Sequence, residues 1–240
     1  MNCKIHTSNV DQLTEEQYAL VRKNSFGASD IAVLFGVGFQ TLDELIAIKA
    51  QDFVTQEELD IGKKPNVKKG KDLEDLILQK FKDKTGLKVK KPKDMYEIQE
   101  GWTVNFDGII SMGLYKGVPV EIKYVSPFAG KYWKEPDPEG HIAQKYSSKI
   151  EEHIKMAAYA CGIPPYYYTQ IQSQIYAAGK QWGYLCALFD KDWEIRIYQI
   201  GLDDFFIKNT KIRVHQANQK LLLAKGKELP ELEVDPNFEF

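Results

Sequence analysis

Apolar and polar residues alternate along two neighbouring stretches in the middle of the chain, residues 104–107 and 118–124. A period of two predicts β-strands, because successive side chains of a strand point to opposite faces. Residues 112–117 between them contain two glycines, as is typical of a turn, so we predict a hairpin. In that hairpin Asp107 lies roughly opposite Glu121, and both point away from the apolar face.

Helical spacing predicts most of the other elements. A Thr followed three residues later by Glu or Gln forms a capping box, which marks helix starts at Thr14, Thr41 and Thr55. Apolar positions three and four residues apart predict helices at 70–85, 148–161, 166–178 and 203–225, the last followed by an extended tail. Short strands are predicted at 87–91, 96–99, 181–189 and 193–201, and a long loop or short helix at 126–146.

Strands interspersed with helices favour an α/β fold with a mixed sheet. The 240 residues, 43% of them hydrophobic and 28% charged, are enough for one domain with its own core. We find neither a run of 18 apolar residues nor a signal-peptide pattern, and therefore expect a cytoplasmic protein without a membrane segment. Cys3, Cys161 and Cys186 are dispersed, which excludes a disulfide framework and a paired-cysteine metal site.

Asp107, Glu121 and Lys123 form the candidate catalytic group. Two carboxylates and a lysine at one place are what a hard divalent cation and a reacting phosphate require. On spacing alone, a solvent-exposed strand face with a surface ion pair is the commoner outcome. Glu74, at the edge of a helical apolar stripe, and Gln170, on an apolar helix, either extend the polar site or are ordinary helix positions.

Residues 25–36 combine a turn of small residues with a short apolar segment that ends at Gly36. Ser29 is predicted to be the N-cap of a short helix there. The N-terminus of such a helix suits a phosphate, although capping alone also explains Ser29. Arg22, at the end of the preceding helix, is close enough in sequence to reach the same point.

Positive charge is concentrated in residues 63–93, which hold twelve lysines, whereas the whole protein has a net charge of −2. Some of these lysines only keep the surface soluble. A basic segment of this density in a net acidic protein nevertheless indicates contact with a polyanion.

Four motifs, taken in order, resemble the family of phage lambda exonuclease and the YqaJ-type viral recombinases, within the PD-(D/E)xK nuclease superfamily. They are residues 27–32 (Gly-Ala-Ser-Asp-Ile-Ala), 70–74 (Gly-Lys-Asp-Leu-Glu), 105–108 (Asn-Phe-Asp-Gly) with 120–123 (Val-Glu-Ile-Lys), and 168–172 (Tyr-Thr-Gln-Ile-Gln). Each motif is weak alone, and their order carries the resemblance. It implies a restriction-endonuclease-like core with a central mixed β-sheet flanked by helices.

By this resemblance, residues 1–240 are a single PD-(D/E)xK nuclease domain. Its parts are a helical N-terminal region (10–62), a catalytic core (63–201), and a C-terminal helix and tail (202–240). The sequence departs from the family in two places. The proline of the superfamily motif is absent before Asp107, and residues 126–165 are longer than the resemblance leads us to expect.

The resemblance also implies roles for individual residues. Asp107, Glu121 and the backbone oxygen of Ile122 would bind Mg²⁺, for which Mn²⁺ would substitute. Glu74 would reach a metal-bound water or a second cation. Lys123 would orient or activate the attacking water and stabilise charge on the phosphate, and Gln170 would help position the site.

Contacts with DNA are assigned to two groups. By the resemblance, Arg22 and Ser29 would hold a terminal phosphate of the DNA. From the basic segment, we assign Lys68, Lys69 and Lys71 to a salt-sensitive contact with the duplex.

The expected activity is that of a Mg²⁺-dependent DNA exonuclease acting on duplex ends. By the resemblance it would digest from 5′ to 3′, release 5′-mononucleotides and leave 3′ single-stranded tails for recombination. The implied partners are double-stranded DNA ends, a single-strand annealing protein and further copies of the chain in a trimeric ring, in the host cytoplasm if the protein is phage-encoded. An endonuclease or a nuclease of other polarity stays open, as does a catalytically idle DNA-binding protein, against which the intact Asp107, Glu121 and Lys123 argue.

Overall fold

The computed structural model describes residues 1–141 and 143–228. In this part of the chain the helices are α1 (Glu15–Arg22), α2 (Ile31–Leu34), α3 (Leu42–Ala50), α4 (Gln56–Asp60), α5 (Pro65–Thr85), α6 (Ile150–Cys161), α7 (Pro165–Ala178) and α8 (Asp204–Ala224). The strands are β1 (Lys4–Thr7), β2 (Phe26–Gly27), β3 (Val89–Lys90), β4 (Met95–Gln99), β5 (Trp102–Val104), β6 (Gly108–Ile110), β7 (Pro119–Val125), β8 (Trp182–Phe189) and β9 (Ile195–Gly201). From residue 229 on, the predicted tail lies outside the described residues.

The strands form two mixed sheets flanked by helices, which confirms the predicted α/β class and adds a second sheet to it. The larger sheet has the order β3-β6-β7-β8-β9, with β7 and β8 parallel and the other neighbours antiparallel. The smaller sheet has the order β1-β4-β5-β2, with β2 and β5 parallel. The sequence did not predict β1 or β2, because β1 is largely exposed and β2 is only two residues long.

Two helices cover the larger sheet, one on each face. Helix α5 packs on β7, β8 and β9, where Phe81 shares a buried cluster with Val120 and Ile122. Helix α7 packs on β7 and β8, and it contacts the alternate β7 side chains Glu121 and Lys123. The predicted alternation of β7 is therefore confirmed, but its polar face lies beneath a helix instead of in solvent.

The strand predicted at residues 104–107 is wrong. Strand β5 ends at Val104 in the smaller sheet, and residues 105–107 connect it to the larger sheet, where Gly108 pairs with Val120. A period of two does not distinguish a strand from an extended connection. Gly108 is needed at the entry to β6, because a Cβ there would lie 2.7 Å from Cγ1 of Val89.

Helix starts were predicted well where a capping box is present. Thr14, Thr41 and Thr55 each accept the expected backbone N–H and each begins a helix. Helix α5, by contrast, begins at Pro65, five residues before the predicted start, because proline suits the first helical position and Gly70 does not interrupt the helix. Within the described residues, no helix has the length and apolar content needed to cross a bilayer.

Candidate active site

Glu121 is the most deeply buried carboxylate of the candidate group, with 0% of its side chain exposed. Its Oε1 accepts a hydrogen bond from Nε2 of Gln170 and its Oε2 accepts one from Nε2 of Gln174, both at 2.5 Å. Lys123 forms an ion pair with the same carboxylate. A buried carboxylate needs such partners to stay ionised. The alternative of a solvent-exposed surface pair is therefore wrong for Glu121.

Asp107 lies beside Glu121 at the start of β6. Its Oδ2 accepts the backbone N–H of Ile122 at 2.9 Å. Burial and, after it, the negative charge of Glu121 raise the pKa of Asp107 to about 7, against the opposing effects of Lys123 and the Ile122 N–H. Two carboxyl groups this close together carry negative charge that one lysine does not balance. The remaining negative charge of the site therefore favours binding of a further cation.

Lys123 is held between Glu121 and an aromatic ring. Its Nζ lies 5.3 Å from the centroid of the Tyr167 ring. Burial, the largest influence, disfavours its charge, but Glu121 and Asp107 together raise the pKa of Lys123 above its ordinary value. It is consequently an ammonium ion at neutral pH. That form suits stabilisation of negative charge on a phosphate better than removal of a proton from water.

The polar atoms around Asp107 and Glu121 fit a Mg²⁺ or Mn²⁺ ion. Besides the carboxylates, two buried amide oxygens nearby, Asn105 Oδ1 and Gln174 Oε1, have no hydrogen-bond partner among the described residues. Hard cations of this kind prefer carboxylate, carbonyl and water oxygens. In the described part of the chain no three His, Cys, Asp or Glu side chains form a metal-binding cluster. Two carboxylates would thus be completed by neutral oxygens, for which the Ile122 carbonyl is a candidate.

Glu74 is not brought into direct contact with these carboxylates. Its Oε2 pairs with Nζ of Lys91 at 2.7 Å, and α5, which carries it, packs on the face of the sheet opposite α7. The pKa of Lys91 is raised: burial opposes its charge, while Glu74 and, more weakly, Asp75 and Asp107 favour it. Glu74 is thus linked to the site electrostatically through Lys91, and its role towards a metal-bound water stays a prediction.

Helix α7 supplies the amides of the site. Gln170 donates to Glu121. Gln174, one turn later, was missed as a site residue. Gln174 also donates to the backbone oxygen of Asn105 at 3.0 Å, so it joins the helix to the connection that carries Asp107. The i, i+4 spacing of two glutamines was the available signal. Gln172 points elsewhere and binds the backbone of Gly201 and Asp203.

Arg22 and Ser29 do meet, although Ser29 is not a helix cap. Nη2 of Arg22 donates to Oγ of Ser29 at 3.1 Å, and α2 has four residues with Asp30 at its N-cap position and no side-chain cap. Asp30 instead accepts the N–H of Gly27 and pairs with Lys49 at 3.0 Å and Arg22 at 3.5 Å. The prediction of Ser29 as N-cap is wrong because the helix begins one residue later than predicted, so that Asp30 occupies the N-cap position, and its carboxylate does not cap the helix. The side chain of Arg22 is 40% exposed, so an anion can reach it.

One cavity connects Arg22 with the candidate catalytic group. Its volume is about 180 Å³, and Arg22, Ser29, Asn105, Asp107 and Gln170 are among its lining residues. An anion bound at Arg22 and a group reacting at Asp107 would therefore share one cavity.

The basic segment is less available than its composition suggested. Lys69 pairs with Asp190 at 2.6 Å and lies 4.9 Å from the centroid of the Tyr124 ring. Other lysines of the segment have protein partners as well: Lys63, Lys80, Lys84 and Lys91. Lys68 and Lys71, in the first turns of α5, are exposed and remain candidates for a polyanion.

Comparison with solved structures identifies the class of fold. An alkaline exonuclease from Laribacter hongkongensis (LHK-Exo) superposes with a TM-score of 0.56 at 18% identity, covering 85% of this chain and 91% of that chain. The structure of the same enzyme in complex with dAMP superposes with a TM-score of 0.56 at 18% identity, covering 86% of this chain and 92% of that chain. A phage-related exonuclease from Haemophilus somnus 129PT superposes with a TM-score of 0.50 at 14% identity, covering 82% of this chain and 92% of that chain. The chain thus has the nuclease fold of alkaline exonucleases.

The family follows from the sequence. The family model of the YqaJ-like viral recombinase domain matches residues 17–181, more than half of the chain. The protein belongs to this family, and the resemblance drawn from the four motifs is confirmed. Comparison with curated proteins finds no match.

Proposed function

We propose that this protein is a Mg²⁺-dependent DNA exonuclease that hydrolyses phosphodiester bonds from duplex ends in the 5′ to 3′ direction. It would release 5′-mononucleotides and leave 3′ single-stranded tails for recombination. Family membership and the nuclease fold support a DNA exonuclease. The observation that carries the finer proposal is the cavity that Arg22 and Ser29 line together with Asp107 and Gln170, the residues that lie beside and bind Glu121.

The contacts of each residue in the Asp107–Glu121–Lys123 group suggest its role in the reaction. Asp107 and Glu121 would hold Mg²⁺, which when bound neutralises charge on the phosphate and lowers the pKa of water. Gln170 and Gln174 fix both oxygens of Glu121 in place. The ammonium of Lys123 would stabilise the negative charge that develops on the scissile phosphate.

The end of the DNA would be recognised at Arg22 and Ser29. A guanidinium can hold a terminal phosphate with two parallel hydrogen bonds, and the Ser29 hydroxyl can add a third. Such a site beside the catalytic group would start digestion at an end. The annealing protein, the trimeric ring and action in a host cytoplasm belong to the same proposal.

The decisive experiment uses linear duplexes labelled at either the 5′ or the 3′ end, together with a closed circle, incubated with protein and Mg²⁺. We expect labelled mononucleotides from the 5′ end and an intact circle. Early release of the 3′ label would reverse the polarity, and a cut circle would indicate an endonuclease. Binding without hydrolysis in both Mg²⁺ and Mn²⁺ would leave a catalytically idle DNA-binding protein.

Replacement of Lys123 by Ala separates catalysis from anchoring. Lys123 pairs with Glu121 and lies beside Tyr167 instead of reaching out to the DNA surface. If its charge acts on the reacting phosphate, kcat should fall by orders of magnitude while the Kd for DNA changes little. Lys116→Ala, in the exposed β6–β7 turn, is the control and should leave both unchanged. A variant that loses binding and keeps kcat would make Lys123 a phosphate anchor.

A further inference from the structure

A groove lined by aromatic side chains and lysines lies beside the candidate active site. Its volume is about 430 Å³. Most of its lining comes from residues 126–165, the segment that is longer than the resemblance implied, and Phe39 from the α2–α3 connection closes one side. The proposed exonuclease mechanism leaves this segment without a role.

The aromatic rings of the groove are unusually exposed. Phe39 is 86% exposed, Phe128 74%, Tyr159 69% and Tyr132 58%. Single exposed apolar residues are common on protein surfaces, but a contiguous group of large ones marks a binding surface. Trp133 of the same segment, by contrast, is buried against Tyr167, Phe189 and Tyr198. The exposed rings of Phe128, Tyr132 and Tyr159 are therefore not part of the core packing of this segment.

Lysines accompany these rings. Nζ of Lys131 lies 4.1 Å from the centroid of the Phe128 ring and 5.0 Å from that of Tyr132. Lys134 lies over the ring of Tyr159, and Lys155 also lines the groove. Within the described part of the chain, no Asp or Glu lines it. Positive charges set among aromatic faces are complementary to a strand of nucleotides, which presents phosphates and flat bases in alternation.

The groove continues towards the candidate active site through two tyrosines whose rings meet edge to face. Tyr166 forms part of the groove wall. The centroid of its ring lies 4.7 Å from that of Phe39 and 4.3 Å from that of Tyr167. Lys123 lies over the other neighbour, Tyr167. One aromatic ring therefore separates the groove wall from the catalytic lysine, so a strand in the groove lies next to the site of hydrolysis.

We propose that this groove binds single-stranded DNA, with bases stacked on its exposed aromatic rings and phosphates paired with its lysines. The inference rests on the proposed function for the kind of polynucleotide, because degradation of one strand of a duplex exposes the other strand beside the site. Stacking tolerates any base, which suits a strand that must move as digestion proceeds. The residues assigned to this role are Phe39, Phe128, Lys131, Tyr132, Lys134, Lys155 and Tyr159.

The test measures binding of the full chain to a short single-stranded oligodeoxynucleotide of mixed sequence, by fluorescence anisotropy in EDTA so that no hydrolysis occurs. A second oligonucleotide of the same length carries abasic sites and keeps its phosphates. The double variant F128A/Y159A should bind the first oligonucleotide roughly tenfold or more weakly and the abasic one as the unaltered protein does. Phe53→Ala removes a ring that is 56% exposed and does not line the groove, and it should change neither.

Three results would overturn the proposal: equal losses for the two oligonucleotides, the same loss in Phe53→Ala, or no loss in the double variant. If the double variant keeps its affinity for DNA but changes its molar mass in light scattering, the groove is an interface between copies of the chain instead. The hydrolysis assay is read separately. A protein that digests duplex ends and whose groove variants bind normally refutes the groove alone, whereas an inactive protein with base-dependent losses refutes the nuclease proposal alone.

Discussion

At the residue scale, the two carboxylates of the site differ in how well the protein supports them. Glu121 accepts two amide hydrogen bonds and pairs with Lys123, whereas Asp107 accepts one backbone N–H from Ile122. Asp107 therefore carries more of the cost of bringing two like charges together, which its raised pKa reflects. A divalent cation would relieve that cost, so the two residues should respond differently to substitution.

Asp107→Asn is expected to abolish hydrolysis and to stabilise the metal-free protein. The pKa of Asp107 in the folded state is about 7, above the ordinary value near 3.9, so its ionisation destabilises the fold increasingly as pH rises from about 4 to 7. Asn removes the charge and still accepts the Ile122 N–H. The Tm in EDTA should rise by several degrees at pH 8 and be unchanged near pH 4, while activity in Mg²⁺ falls by about a hundredfold or more.

The matched control is Asp75→Asn, which removes an exposed carboxylate from α5. It should alter neither activity nor the pH dependence of the Tm. A lower Tm for Asp107→Asn at pH 8 would contradict the repulsion between Asp107 and Glu121.

Arg22→Ala should reduce the preference for a 5′-phosphate. Charge-assisted hydrogen bonds to phosphate contribute about 1.5–3 kcal/mol, so the ratio of digestion rates for 5′-phosphorylated and 5′-hydroxyl ends should shrink by about ten- to a hundredfold. The fold should persist, because Asp30 keeps its pair with Lys49. Arg22→Lys retains the charge without the planar fork, so its preference for a 5′-phosphate should lie between that of the unaltered protein and that of Arg22→Ala. Equal slowing of both substrates would argue against a phosphate site at Arg22.

At the scale of elements, local pattern determined helix starts and strand faces but not tertiary partners. The capping boxes and the alternation along β7 depend on neighbouring residues, and both were predicted correctly. The pairing of β2 with β5, and the passage of residues 105–107 between the sheets, depend on contacts that no local period encodes. These are the parts of the fold that the sequence left out.

The candidate site shows the same division. The shared face of Glu121 and Lys123 follows from a period of two, whereas Gln170 was assigned by the resemblance and Gln174 was missed although it lies one helical turn from Gln170. The burial of Glu121 beneath α7 could not be predicted, because its partners Gln170 and Gln174 are 49 and 53 positions away in the sequence. The pairing of Lys69 with Asp190 spans 121 positions and removes a lysine that composition alone assigned to DNA.

The role of α7 as the support of Glu121 is tested by Gln174→Ala. The substitution removes the donor to Oε2 of Glu121 and to the backbone of Asn105, so kcat should fall about ten- to a hundredfold with little change in KM. Gln172→Ala is the matched control, because Gln172 is equally buried on the same helix and bonds only the backbone of Gly201 and Asp203. Both variants should lose some stability. If both also lose kcat to the same extent below their Tm, Gln174 acts only through the fold.

At the scale of the whole molecule, a protein with a net charge of −2 must offer DNA a local basic surface. Five of the twelve lysines of residues 63–93 are held by acids or backbone oxygens. Lys68 and Lys71, at the start of α5, are exposed and have no such partner among the described residues. The groove beside Tyr166 presents a second set of lysines. We assign the first surface to duplex and the second to single strand, and their responses to salt and to base removal should differ accordingly.

The duplex surface is tested by reversing Lys68 and Lys71 to Glu together. Affinity for DNA falls with salt because bound phosphates release counterions, with a slope of about 0.9 per contact, so losing two contacts should lower the slope by about 1.8. The control reverses Lys208 and Lys220, which are exposed on α8, and gives the protein the same net charge. When a blunt duplex is titrated in EDTA at several salt concentrations, the slope of log affinity against log salt concentration should be flatter for the α5 variant alone. Equal flattening in both variants would mean that overall charge, not the start of α5, governs binding, and an unchanged slope would remove Lys68 and Lys71 from the interface.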